Sequence, residues 1–130
     1  MHIIDSHFHW RPISMLEWAC KAKGYPRAER DGKGGYIWKI REDYTVRVRA
    51  NHPAWAPLED MLAHMDGLGH EVDVVCTIGP LSVYFSELPA DAGRDAAMLW
   101  NEEMAAAQRR FPGRFFGTAE LPLQDTKAAV

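Results

Sequence analysis

The sequence predicts an α/β fold built on a parallel sheet, with a small β-hairpin inserted after the first strand. Three observations carry that expectation. Strand-like and helix-periodic segments alternate along the chain, which is the pattern of consecutive βαβ units. Residues 72–78 are nearly all apolar, the composition of a strand covered on both faces. Residues 36–40 and 44–49 are two β-rich runs separated only by Arg41-Glu42-Asp43, a spacing that suits a hairpin.

The elements follow in order. Residues 2–8 read as a strand, entered through β-branched Ile3 and Ile4. Pro12 stands where a helix begins without losing a needed N–H, and residues 13–22 are expected to form that helix, with Met15, Leu16 and Ala19 at helical spacing. The polar, glycine-rich passage 23–35 reads as a surface loop. In the hairpin, Val46 and Val48 share one face, and Arg47 and Arg49 share the other. Pro57 opens a second helix in which Leu58, Met61, Leu62 and Met65 recur every three or four residues, and Gly67 and Gly69 mark its end. After the strand at 72–78, Gly79-Pro80 is a stop, and a loop over 81–89 leads to a long helix at 91–111. There Ala97, Trp100, Met104, Ala107 and Phe111 trace an apolar stripe, while Glu102, Glu103, Arg109 and Arg110 face away. Pro112-Gly113 ends it, residues 114–121 supply a third sheet strand, and Asp125 has the character of an N-cap.

Composition narrows the function classes. With 130 residues, 47% of them apolar and 25% charged, the chain has the make-up of one small globular domain and not of a disordered segment. A net charge of −3 gives no basic footprint for nucleic acid. Cys20 and Cys76 form no zinc or redox pair in sequence, so free thiols in a cytoplasmic protein are the simplest expectation. The N-terminus shows no basic segment followed by an apolar core, and no apolar run reaches membrane-spanning length, so no membrane association is expected.

The chemistry concentrates in Asp5-Ser6-His7-Phe8-His9-Trp10-Arg11-Pro12. Side chains alternate along a strand, so His7 and His9 would project to the same side, a few ångströms apart. Neutral imidazole is the commonest protein ligand for a catalytic divalent metal. A bare His-x-His pair also arises by chance; the strand before it, Asp5 and Pro12 shift the balance to a metal site. Asp5 shares strand parity with both histidines, and is either an acceptor for a ring N–H behind the ligands or a structural acid.

Asp5-x-His7-x-His9-x-x-Pro12, the segment Met65-Asp66-Gly67-Leu68-Gly69-His70-Glu71-Val72-Asp73-Val74-Val75, and Arg110-Phe111-Pro112-Gly113-Arg114-Phe115 with Leu121-Pro122-Leu123-Gln124-Asp125 together resemble the amidohydrolase superfamily. The resemblance is to its aminocarboxymuconate-semialdehyde decarboxylase-like branch, the amidohydrolase-2 group, and it spans nearly the whole chain. It implies the N-terminal part of a TIM-type (β/α)8 barrel over residues 1–130, with the hairpin at about 36–49 as an insertion. It also implies a divalent metal, zinc first and manganese in some members, held by His7 and His9. The activity implied is decarboxylation of a small carboxylated cyclic or unsaturated compound, with hydrolysis as the alternative. The family completes its site with a further His and a late Asp, which are expected beyond Val130. An incomplete gene product, a partial barrel that pairs with another chain or copy as a homo-oligomer, and a non-catalytic relative are the three readings of that shortfall.

Among other side chains, Arg49 falls where decarboxylase relatives hold a substrate carboxylate, a task that suits the guanidinium fork; Arg47 is the lesser candidate. A solvated hairpin face is the competing role for both. Trp10 and Trp55 are candidate walls for a cyclic substrate, or core residues. His52, His64 and His70 have no second ligand at metal spacing and read as surface or helix-end residues. Glu120 is either a pocket acid or, the reading favoured here, a strand-end charge. The TatD-type nucleases share a His-x-His start but usually carry Asp where this chain has Arg11.

Overall fold

Six strands and three helices form from this pattern in the computed structural model, which describes residues 3–49, 52, 55–68, 72–76 (backbone only) and 88–130. In chain order they are β1 (Ile3–Phe8), α1 (Ile13–Ala19), β2 (Arg27–Arg30), β3 (Tyr36–Arg41), β4 (Tyr44–Val48), α2 (Leu58–Gly67), β5 (Val72–Cys76), α3 (Ala90–Arg110) and β6 (Phe115–Gly117). The strands divide into two three-stranded sheets. One is parallel, in the order β1-β5-β6, and the other is antiparallel, in the order β2-β3-β4.

That division overturns the expected partial TIM-type barrel. A barrel pairs every strand on both sides around a closed ring. Here only three described strands run parallel, β1 and β6 are left as opposite edges, and the other three strands hydrogen-bond among themselves in a separate antiparallel sheet. The fold is a small mixed α/β domain.

The expected hairpin forms at β3 and β4, but it gains a third strand from a passage expected to be loop. β2 has the sequence Arg-Ala-Glu-Arg, with one apolar residue and no visible alternation. Its Ala28 is buried and lies opposite Trp38, the most buried residue of β3, while Glu29 pairs with Lys39 at 2.6 Å on the outer face. Charged side chains flanking a single small residue are a usual make-up for an edge strand. Along β3 the alternation is clear: Tyr36, Trp38 and Ile40 are buried, and the residues between are not.

Helix α1 buries Met15, Leu16 and Ala19 and ends there, three residues short of the expected 22. Its Glu17 reaches across to the antiparallel sheet, accepting from Arg30 Nη2 at 2.5 Å and from the Tyr36 hydroxyl at 2.9 Å. Those donors, the tyrosine hydroxyl foremost, hold the Glu17 carboxyl below its ordinary range.

Helix α3 lies against the parallel sheet through the stripe expected from its spacing. Ala97, Trp100, Met104 and Ala107 are buried, and Phe111 caps the end, partly buried. Three contacts lock the chain after β6 to this helix. Trp100 Nε1 donates to Thr118 O at 2.8 Å, and the Asn101 side chain both donates to Glu120 O at 2.9 Å and accepts from Glu120 N at 2.7 Å. β6 itself is shorter than the expected 114–121. Asp125 accepts from Lys127 N and Ala128 N and so caps a single turn. Glycine at 117 sets the distance between helix and strand, because a Cβ there would stand 2.5 Å from Met104 Cβ. Gly69, His70, Gly79-Pro80 and the loop at 81–87 lie outside the described residues. No described helix is long and apolar enough to cross a membrane.

Gly117→Ala is expected to destabilise the fold by about 1–3 kcal/mol, because the buried Met104 backbone and Cβ leave the new methyl no room. Gly24→Ala, where an added Cβ meets nothing within 4 Å, is expected to change stability by less than about 0.5 kcal/mol. Urea denaturation of the two variants checks the contrast, and equal midpoints would show that α3 does not pack on β6 as described.

Candidate metal centre

The histidine pair lies where β1 leaves the parallel sheet. β1 pairs with β5 in register from Ile3↔Val72 to Asp5↔Val74, and then Phe8 pairs with Cys76. Three steps on β1 therefore match two on β5, so one extra residue is accommodated around Ser6 and His7. An extra residue of this kind bends a strand and re-aims its side chains. Asp5 closes the irregularity: its Oδ1 accepts the backbone N–H of His7 at 3.0 Å.

Strict alternation would have carried Asp5, His7 and His9 on one side. The bulge breaks that parity, yet the two rings still converge, because His9 lies just past the last strand residue. His7 Nε2 and His9 Nε2 are 3.0 Å apart, with ring centroids at 4.8 Å and planes at 75°. Two nitrogens that each bind one tetrahedral zinc at 2.0–2.1 Å lie about 3.3 Å apart. The observed separation is within a few tenths of an ångström of that value, so the two Nε2 atoms fit a shared divalent ion as two of its ligands.

His9 is biased toward the neutral form that ligates. Burial lowers its pKa most, the charges of Arg11 and His7 lower it further, and Asp5 opposes them. His9 Nδ1 is buried and has no hydrogen-bond partner among the described residues. Among the described residues no third His, Cys, Asp or Glu joins the pair.

The remaining predicted residues are placed as follows. Asp5 serves the His7 backbone amide and not a ring N–H. Trp10 is buried at 9% exposure, stacks edge to face on Phe115 at 5.6 Å, and donates from Nε1 to Ala56 O at 3.0 Å. With Trp55, Pro12, Pro57 and Phe111, it lines a cavity of about 570 Å³ between the start of α1, the start of α2 and the end of α3. Arg47 turns to Asp31, 3.4 Å away, across the antiparallel sheet. Arg49 is exposed and makes no side-chain hydrogen bond or ion pair among the described residues. Neither arginine is brought to the histidines by any described contact. His52 and His64 are exposed.

Arg11 was not singled out by sequence reasoning. Its guanidinium lies over the Trp55 ring, 5.7 Å from the centroid, and its charge acts on His9. The signal was present, since Arg11 continues the two-residue spacing of His7 and His9. No model of a known protein family matches the chain.

Glu120 behaves differently from a solvated strand-end charge. Burial pushes its pKa from the ordinary 4.5 to about 7. A folded-state pKa above the unfolded value means that the folded protein binds the extra proton between pH 4.5 and 7. Stability from this group is therefore fully present below pH 4.5 and is lost as pH rises through 7. After allowance for solvent screening at a partly exposed carboxyl, the loss is on the order of 1 kcal/mol. Glu120→Gln is expected to gain that amount over the wild type at pH 8 and nothing at pH 4. Urea midpoints across that range check it, and a parallel pH profile in both proteins would refute it.

Proposed function

We propose that the chain serves a metal-dependent enzyme of the amidohydrolase type, acting on a small carboxylated organic compound, with decarboxylation as the reaction and hydrolysis as the alternative. The single observation that carries this reading is the convergence of His7 Nε2 and His9 Nε2 to 3.0 Å at the end of a parallel strand. C-terminal strand ends are where α/β sheets gather ligand-binding groups. A bound divalent ion, zinc or manganese, would supply polarisation of a water or substrate oxygen.

The chain's own residues do the rest of what this site can do. His7 and His9 would hold the ion through their Nε2 atoms, and the burial that lowers the His9 pKa favours the neutral ring that ligation requires. Asp5 fixes the backbone between them. A catalytic zinc normally takes three protein ligands and an open position, so the proposed site needs at least one donor beyond this pair. The reading draws on the histidine geometry and the sequence motifs, and not on a barrel. A cytoplasmic setting belongs to the same proposal, and Cys20, a free thiol, suits it.

Calorimetric titration with Zn²⁺ and Co²⁺ is expected to show one site per chain, with His7→Ala and His9→Ala each weakening it by at least about tenfold. A wild-type chain that retains no metal, or variants that bind as the wild type does, would remove the proposal. With metal retained, carbon dioxide release from a panel of aromatic and unsaturated carboxylates separates the decarboxylase reading from the hydrolase one.

A further inference from the structure

We infer that the cavity between the start of α1, the start of α2 and the end of α3 is a binding site for a small aromatic amine, whose ring enters the apolar space and whose ammonium group pairs with Glu103. The lining includes neither His7 nor His9, so occupancy of this site does not depend on a bound metal.

Space and rigidity are the first support. The cavity of about 570 Å³ falls within the range of small-molecule sites, about 300–1,000 Å³. It stays open because small side chains stand where larger ones would fill it: Ala106 and Ala107 on α3, and Ala56 just before α2. Trp10, Pro12, Trp55, Pro57 and Phe111 supply flat, apolar walls. Trp10 is fixed by its hydrogen bond to Ala56 O and its contact with Phe115, Trp55 packs on Trp38 at 5.8 Å, and the two prolines hold φ at −62° and −50°. Walls already fixed lose little freedom when a ring enters.

Charge is the second support. Glu103, Ala106, Ala107 and Arg110 follow one another at three- and four-residue spacing and so share a face of α3. Glu103 and Arg110 were expected to face away from the core, yet both line this cavity. Arg110 pairs with Glu59, another lining residue, and lies over the Phe111 ring at 5.3 Å. Glu59 and Asp60 stand in the first turn of α2, where they offset the positive end of that helix. Glu103 is partly buried and makes no hydrogen bond or ion pair with a described residue. The described lining therefore carries one carboxylate in excess, beside an apolar space. A carboxylate partly removed from water gains from a cation that brings N–H donors, and an ammonium group brings three.

Phenethylamine is the probe, with phenethyl alcohol as its neutral counterpart and hydrocinnamate as its anionic one. Each is titrated into the metal-free full chain at neutral pH, read by tryptophan fluorescence and by the Trp10 indole N–H resonance. The amine is expected to bind in preference to both counterparts and to shift the Trp10 resonance. Glu103→Gln is expected to weaken the amine by at least about threefold and to leave the alcohol unchanged. Glu102→Gln removes the same charge from α3 outside the cavity, and is expected to leave amine affinity as it is. Circular dichroism of each variant separates these effects from unfolding. No amine binding by the wild type, equal affinity for amine and alcohol, or equal losses in Glu102→Gln and Glu103→Gln overturns the inference. The histidine reading stands or falls separately, on the metal titration.

Discussion

The position of the candidate site depends on one buried side chain, Trp10. Its ring meets Phe115, a residue with no exposed surface at the start of β6, and its indole N–H is satisfied by the carbonyl of Ala56. An indole buried with its N–H paired is favourable on both counts, and one left unpaired would cost about 1–3 kcal/mol. The single residue therefore ties together the end of β1, the far edge of the parallel sheet and the segment that leads into α2. His9 and Arg11 flank it directly. The backbone on which they stand is therefore positioned by a core contact.

The antiparallel sheet supports the same point from the other side. Glu17 on α1 is shared between Arg30 and Tyr36, so the helix that begins just after Pro12 is joined to β2 and β3 by two charge-assisted hydrogen bonds. Trp38 of β3 then meets Trp55, and Trp55 underlies the Arg11 guanidinium. The antiparallel sheet, of which only the hairpin was expected, as an insertion after the first strand, thus acts through a buried tryptophan pair. Arg47, which turns to Asp31, and Arg49 make no described contact in that connection.

The sequence made some of this legible and concealed the rest for identifiable reasons. Helical periodicity in α3 named four of its buried residues, because a stripe at 3.6-residue spacing is a local property. The apolar run at 72–78 correctly marked β5, but two-sided burial says nothing about how many strands share the sheet. Closure is a property of the whole sheet, and the described strands do not close. β2 was invisible because one alanine carries its burial, and that burial depends on Trp38 across the pair. The pairing of His7 with His9 was legible from spacing, whereas the bulge beneath it was not, since it exists only in register with β5. Glu120 was read as a strand-end charge because nothing in its neighbours announces desolvation, and the clamp from Asn101 that fixes its backbone comes from a helix 19 residues earlier.

The 3.0 Å separation of the two Nε2 atoms also constrains how a metal would enter. Without an ion, two nitrogens at that distance share a proton: one ring donates and the other accepts. If His9 accepted, its own proton would sit on Nδ1, a buried atom with no acceptor among the described residues. An orphaned buried N–H is rarer and costlier than an under-used lone pair. The favoured arrangement therefore has His9 donating from Nε2 to His7. An ion held by both Nε2 atoms would take the place of that proton, and His9 would then carry its N–H on Nδ1. The proposed binding at this pair would thus be coupled to a tautomer switch at His9, and a partner for His9 Nδ1 is the group whose presence would most strengthen the site. The weakness of the pair as a metal centre lies in that unsupported nitrogen as much as in the number of ligands.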